Sequence, residues 1–341
     1  MRILGLALLL SLASAVMAQQ SAPEDVEAPP PQQKPAHSVP QPPPKPPAGE
    51  GSQSQDNSAA TFKVNVKLVN VFTTVTDANG APIGGLEKKD FKVYEDGMQQ
   101  NIAVFARESA LPLSIMLAID ASLSTRKDLP LEIESAKRFS HAILHPQDGL
   151  SVMQFSEIVK EVVPFTSDLR RIDQGVGHIQ TGAATALYDA IFLGSSTLQK
   201  RRGRKVMVLI TDGGDTLSQT SYQEALRAAQ ISETILYAII MVPIEASAGR
   251  DLGGEHALIQ ITHDTGGKYY YATSIQQLDD AFRQISDELR TQYLLAYYPP
   301  KKAYEDFRRI KVEVDPTAAK LPAGSEVHVA HRTGYYTSSI E

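Results

Sequence analysis

Asp120-Ala-Ser122-Leu-Ser124 places one carboxylate and two hydroxyls at alternate positions directly after an apolar run, Leu113-Ser-Ile-Met-Leu-Ala-Ile119. An uncharged run of this kind reads as a strand buried on both faces of a parallel sheet, and ligand sites of open α/β sheets gather where such strands end. Oxygen-only donors carrying a single charge suit a small hard cation such as Mg²⁺. Taken alone, the same residues also describe a strand end followed by turn and helix-capping positions. Two further segments add matching chemistry. Thr181-Gly-Ala-Ala-Thr185 sets a threonine at a turn entering a helix, and Val208-Leu-Ile-Thr-Asp212-Gly-Gly-Asp215 ends a second apolar strand in an aspartate. In a parallel sheet all three segments arrive at one carboxyl edge.

The elements that must position them alternate between strand and helix. Apolar strands are expected at 113–119, 206–210 and 234–242, a hairpin-like strand pair at 150–155 and 158–165, and a short strand at 268–271. Helices are expected at 129–144, 184–198, 223–231, 255–263 and 275–289. This order predicts right-handed crossovers and an α/β, doubly wound, mostly parallel sheet of the Rossmann-like kind over 109–290. On either side the pattern turns all-β. Residues 61–108 carry period-two alternation broken by Asp77-Ala-Asn-Gly80 and Asp96-Gly97, and 291–341 predicts strands at 292–298, 309–314 and 326–335. The two β segments are expected to pair into one all-β domain into which the α/β body is inserted; two separate small modules are the alternative.

The N-terminal stretch belongs to neither body. Arg2 precedes an apolar segment over 3–16, and Val16-Met-Ala18 offers a small-residue cleavage site, so 1–18 reads as a secretory signal peptide. The alternative is an uncleaved anchor, for which the segment is short of the roughly 20 residues of a bilayer span. Residues 19–60 hold more than half of the prolines and almost no aliphatic clusters, which fits an extended linker. The 341-residue chain has no cysteine, so disulfides and thiolate metal sites are excluded. Export without disulfides fits a bacterial periplasm or exterior. A net charge of -6 argues against nucleic acid as a partner, and the basic cluster Lys200-Arg-Arg-Gly-Arg-Lys205 is expected to be a solvated turn.

With D-x-S-x-S at Asp120, Ser122 and Ser124, a threonine at Thr185 and a later aspartate at Asp212, the chain resembles the von Willebrand factor type A (VWA) family. With its export signal and β flanks, it also resembles secreted VWA-related proteins of acidobacteria. The resemblance implies a metal-ion-dependent adhesion site (MIDAS). Ser122, Ser124 and Thr185 would contribute hydroxyls, and Asp120 and Asp212 would contribute carboxylates, directly or through water. The expected cofactor is Mg²⁺, with Mn²⁺ or Ca²⁺ as alternatives. Asp215 is expected to be a solvated turn residue, and Asp189 to cap its helix or face solvent.

Mostly neutral ligands leave a divalent cation under-compensated, so it should attract a carboxylate from another molecule. The expected partner is therefore a protein presenting Asp or Glu, and the expected role is adhesion or scaffolding without catalysis. One alternative is a structural envelope protein with a vestigial site. Another is a metal-dependent phosphoester hydrolase with Asp120 as nucleophile, but Ser122 stands where such an enzyme commonly carries its second acid. No P-loop and no G-x-S-x-G occurs. The spacings of His256 with His263 and of His328 with His331 do not suit zinc. Tyr269-Tyr-Tyr271 and Tyr297-Tyr298 are expected to pack a core rather than bind a ligand. Partner specificity should lie in loops 125–127, 216–220 and 246–254, the last of them Gly-rich and expected to be mobile.

Overall fold

In the computed structural model, which describes residues 68–107, 111–242, 251–300, 306–315, 317 and 326–339, four strands come first. They are β1 (Val69–Asp77), β2 (Phe91–Glu95), β3 (Met98–Gln100) and β4 (Ile102–Arg107). The signal peptide and linker expected at 1–60 lie outside the described residues. β3 was not expected from the sequence. It forms because Asp96 (φ 48°) and Gly97 (φ 81°) adopt the left-handed conformations that a two-residue hairpin requires, pairing Glu95 with Met98.

The α/β body follows as β5 (Leu113–Asp120), α1 (Leu129–Ile143), β6 (Gly149–Phe155), β7 (Val159–Thr166), α2 (Leu169–Val176) and α3 (Leu187–Gln199). It continues through β8 (Arg204–Thr211), α4 (Tyr222–Ser232), β9 (Thr234–Met241), α5 (Leu252–Thr265), β10 (Tyr269–Ala272) and α6 (Ile275–Thr291). The sheet order is β10-β9-β8-β5-β6-β7, parallel throughout except for β7. Every residue of β5 is buried because both faces are covered. Ile115, Leu117 and Ile119 pack with Phe139 of α1 and Phe282 of α6, while Met116 and Ala118 pack with Ala190 and Ile191 of α3 and Ala229 of α4. The Phe139 and Phe282 rings stack at 4.4 Å between centroids.

The remaining strands are β11 (Tyr293–Tyr297), β12 (Phe307–Val314), β13 (Val327–Ala330) and β14 (Gly334–Tyr336). They interleave with the first four. One sheet has the order β13-β1-β11-β4 and the other β14-β12-β2-β3, so each contains strands from both sides of the α/β body. The two sheets share one core that includes Val71, Val93, Leu295 and Val312. Within it Arg308 Nη1 donates to Glu95 Oε1 at 2.7 Å, and the Tyr297 and Tyr335 hydroxyls donate to Glu95 Oε2 at 2.8 and 3.0 Å.

Three local expectations need correction. The single strand expected over 326–335 is two strands in different sheets. The chain crosses between them at 331–333, where Arg332 Nη2 donates to Asn70 O at 2.6 Å and Thr333 N donates to Asp264 O at 3.1 Å. The helix α2 was not foreseen, because only Ile172 and Val176 of its eight residues are buried. The basic cluster is not wholly solvated: Arg204 is buried and donates to the Leu289 carbonyl, and burial pushes its guanidinium down to about 10. Among the described residues, no helix is long and apolar enough to cross a membrane.

Candidate metal centre

β5 delivers Asp120 to the carboxyl edge of the sheet, and the chain then turns tightly. Asp120 Oδ1 accepts from Ser122 N at 2.9 Å, and Thr125 Oγ1 donates back to Asp120 O at 2.9 Å and to Ser122 O at 3.2 Å. This turn brings the Ser122 and Ser124 hydroxyls within 3.0 Å of each other. Thr125, expected in a specificity loop, is buried and holds the turn instead.

β8 ends one strand away, and Thr211 Oγ1 donates to Asp120 Oδ2 at 2.7 Å while accepting from Gly213 N at 3.1 Å. Asp212, half-buried, follows directly. Gly213 takes φ +98°, and a Cβ on Gly254 would lie 1.7 Å from Gly213 O, so the start of α5 rests on this turn backbone to backbone. Asp251 caps α5 by accepting from Gly253 N and Gly254 N. Residues 251–254 of the loop expected to be mobile thus open a capped helix; residues 246–250 lie outside the described residues.

Thr185 comes from the segment before α3, which is hydrogen-bonded on both sides. Gly182 N donates to Ala121 O at 2.7 Å, Ala183 N donates to Glu157 Oε2 at 2.6 Å, and Thr185 exchanges bonds with Thr216 through Thr185 N to Thr216 Oγ1 and Thr216 N to Thr185 O, both 2.9 Å. Asp120, Ser122, Ser124, Thr185 and Asp212 therefore all lie on turns bound to one another at one edge. Asp215 is not a solvated turn residue. Its Oδ1 accepts from Leu187 N at 2.8 Å and Ser218 Oγ at 2.6 Å, capping α3, whose own N-cap residue is Ala186. Asp189 likewise ties down the 216–220 loop, accepting from Gln219 N at 3.1 Å and Thr220 N at 2.8 Å.

The edge is electrostatically acidic. Burial pushes the Asp120 carboxyl up to about 6, against the lowering effect of its bonds from Thr211 and Ser122, and the Asp212 carboxylate adds to the rise. Among the described residues no three His, Cys, Asp or Glu side chains gather as a metal cluster, so any cation here would depend on hydroxyls. Two carboxylates in mutual repulsion beside paired hydroxyls form an oxygen-only donor set that fits a hard divalent cation. Thr211 was not expected at this edge, although a polar residue at the end of an apolar strand is its signal.

Residues 115–214, spanning all five candidate ligands, match the family model of the von Willebrand factor type A domain. The α/β body is a VWA domain. Among solved structures, the chain is similar to BatB from Bacteroides thetaiotaomicron at 18% identity, with a TM-score of 0.43, covering 52% of this chain and 100% of that one. It is similar to a von Willebrand factor type A protein from Catenulispora acidiphila at 12% identity, with a TM-score of 0.47, covering 82% of this chain and 76% of that one. A third similarity is to the von Willebrand factor domain of a type V pili tip protein from Porphyromonas gingivalis, at 11% identity and a TM-score of 0.43, covering 52% of this chain and 95% of that one. A comparison with curated proteins returns no match. In this VWA domain the β flanks extend the fold at the sheet end opposite the candidate metal residues, since β5 begins and α6 ends where the flanking strands attach.

Proposed function

We propose that this chain is an exported binding module that takes up an acidic side chain of a protein partner on a divalent cation held by Asp120, Ser122, Ser124, Thr185 and Asp212. The observation that carries this reading is the pairing of the Ser122 and Ser124 hydroxyls at 3.0 Å beside two carboxylates at one sheet edge. Mg²⁺ is the first choice, with Mn²⁺ and Ca²⁺ as alternatives at an all-oxygen site. Such a cation keeps much of its charge, which is what attracts an external carboxylate.

The surroundings favour a protein partner. Leu123, Leu217 and Leu252 sit on the turns that carry the candidate ligands or contact them, and each is more than half exposed, at 58%, 51% and 67%. Exposed leucines at a charged edge suit contact with another protein's surface. Export is proposed from the apolar segment over 3–16 and the absence of cysteine.

The test uses immobilised peptides that carry a single Asp or Glu among aliphatic residues, paired with their Asn or Gln counterparts. Binding is expected only to the carboxylate peptides, only with Mg²⁺, and not with Asp120→Ala. Equal binding in EDTA, or to the amide peptides, contradicts the proposal.

A further inference from the structure

Glu132 is a buried acid outside the five candidate ligands. It sits in the first turn of α1 with no exposed surface, and among the described residues neither of its carboxylate oxygens has a hydrogen-bond partner. Buried polar atoms are nearly always satisfied, and an exception calls for a physical reason. A residue needed only to fill space at this position would be Leu or Met, matching Leu129 and Ala136 on the same stripe.

The surroundings supply the reason. Glu132 lines a cleft of about 300 Å³ together with Ser124, Asp128 and Asp212, two of which are candidate ligands. The other walls come from the ends of β9 and β10 and the start of α6, and the N-cap hydroxyl of Ser274 already accepts from Gln277 N. The charged groups facing Glu132 are carboxylates at Asp120, Asp128 and Asp212; Lys127 also lines the cleft. An isolated acid among acids is a poor structural element and a good acceptor for donors brought by a cation.

We infer that Glu132 is a positioning residue of the metal centre, accepting hydrogen bonds from water in the cation's coordination shell and adding its charge to those of Asp120 and Asp212. This rests on the metal reading of the site but not on the partner. Outer-shell acceptors of this kind fix the orientation of bound groups and set metal affinity.

The test is calorimetric titration of the purified chain with Mg²⁺ and Mn²⁺, with no partner present. Glu132→Gln is expected to weaken metal binding by about 10- to 100-fold. In EDTA its unfolding temperature should equal or exceed that of the wild type. Glu132→Asp, which keeps the charge, should bind more tightly than Glu132→Gln. Wild-type binding with an unchanged affinity in Glu132→Gln overturns this inference alone, whereas no binding by the wild type overturns the metal site and the inference with it. A Mn²⁺-loaded crystal of the wild type gives a readout that needs no variant. Ordered water between the ion and Glu132 supports the role, and a Glu132 carboxyl without such water overturns it.

Discussion

Thr211 Oγ1 donates a 2.7 Å hydrogen bond to Asp120 Oδ2, joining the ends of two adjacent strands through a buried carboxylate. The same hydroxyl accepts from Gly213 N and so also sets the turn that carries Asp212. Thr211 thereby orients both candidate metal carboxylates without being a candidate ligand. Thr211→Val keeps the shape but leaves a buried carboxylate oxygen unpaired. The expected outcome is a loss of about 1–3 kcal/mol of stability in urea unfolding. Calorimetry should show Mg²⁺ affinity lowered by about 10- to 100-fold. Unchanged affinity would mean that Asp120 is oriented by Ser122 alone.

What the sequence conveyed and what it hid follow from the range of the forces involved. The apolar runs ending at Asp120 and Asp212 were legible because burial on both sheet faces imposes an uninterrupted hydrophobic stretch. The pairing of N- and C-terminal strands was legible because neither segment had enough strands to close a core alone. Asp215 was misread because its capping role reaches across 28 residues to Leu187, with no local signature. The break between β13 and β14 was hidden for the same reason, since it is made by contacts of Arg332 and Thr333 with Asn70 and Asp264.

The metal-free chain should show a pH dependence set by its acidic edge. Burial, and then the carboxylates of Asp120, Asp128 and Asp212, push Glu132 from an ordinary 4.5 up to about 8. Between those values the folded chain holds a proton that the unfolded chain has lost. The stabilisation is therefore complete below about pH 4.5 and is lost as pH rises through 8. Thermal unfolding in EDTA should show the wild type losing stability relative to Glu132→Gln from pH 5 to pH 8, by at most about 1.4 kcal/mol per pH unit. A difference independent of pH would contradict the assignment.

The β-domain should depend on the single carboxylate that joins four of its strands. Glu95 of β2 accepts from Arg308 of β12, Tyr297 of β11 and Tyr335 of β14. Removing one partner of a buried pair leaves the other charge uncompensated. Glu95→Ala is accordingly expected to cost about 3–5 kcal/mol in chemical denaturation. Limited proteolysis should then release the flanks before the VWA domain is cut. A cost below about 1 kcal/mol would place the pair among weak surface bridges.

Anomalous diffraction from crystals of the chain grown with Mn²⁺ tests the metal centre itself. A single peak among Asp120, Ser122, Ser124, Thr185 and Asp212, absent in Asp120→Ala crystals, is the predicted result. Those side chains well ordered around no peak, at a Mn²⁺ concentration that saturates the chain in solution, would contradict it.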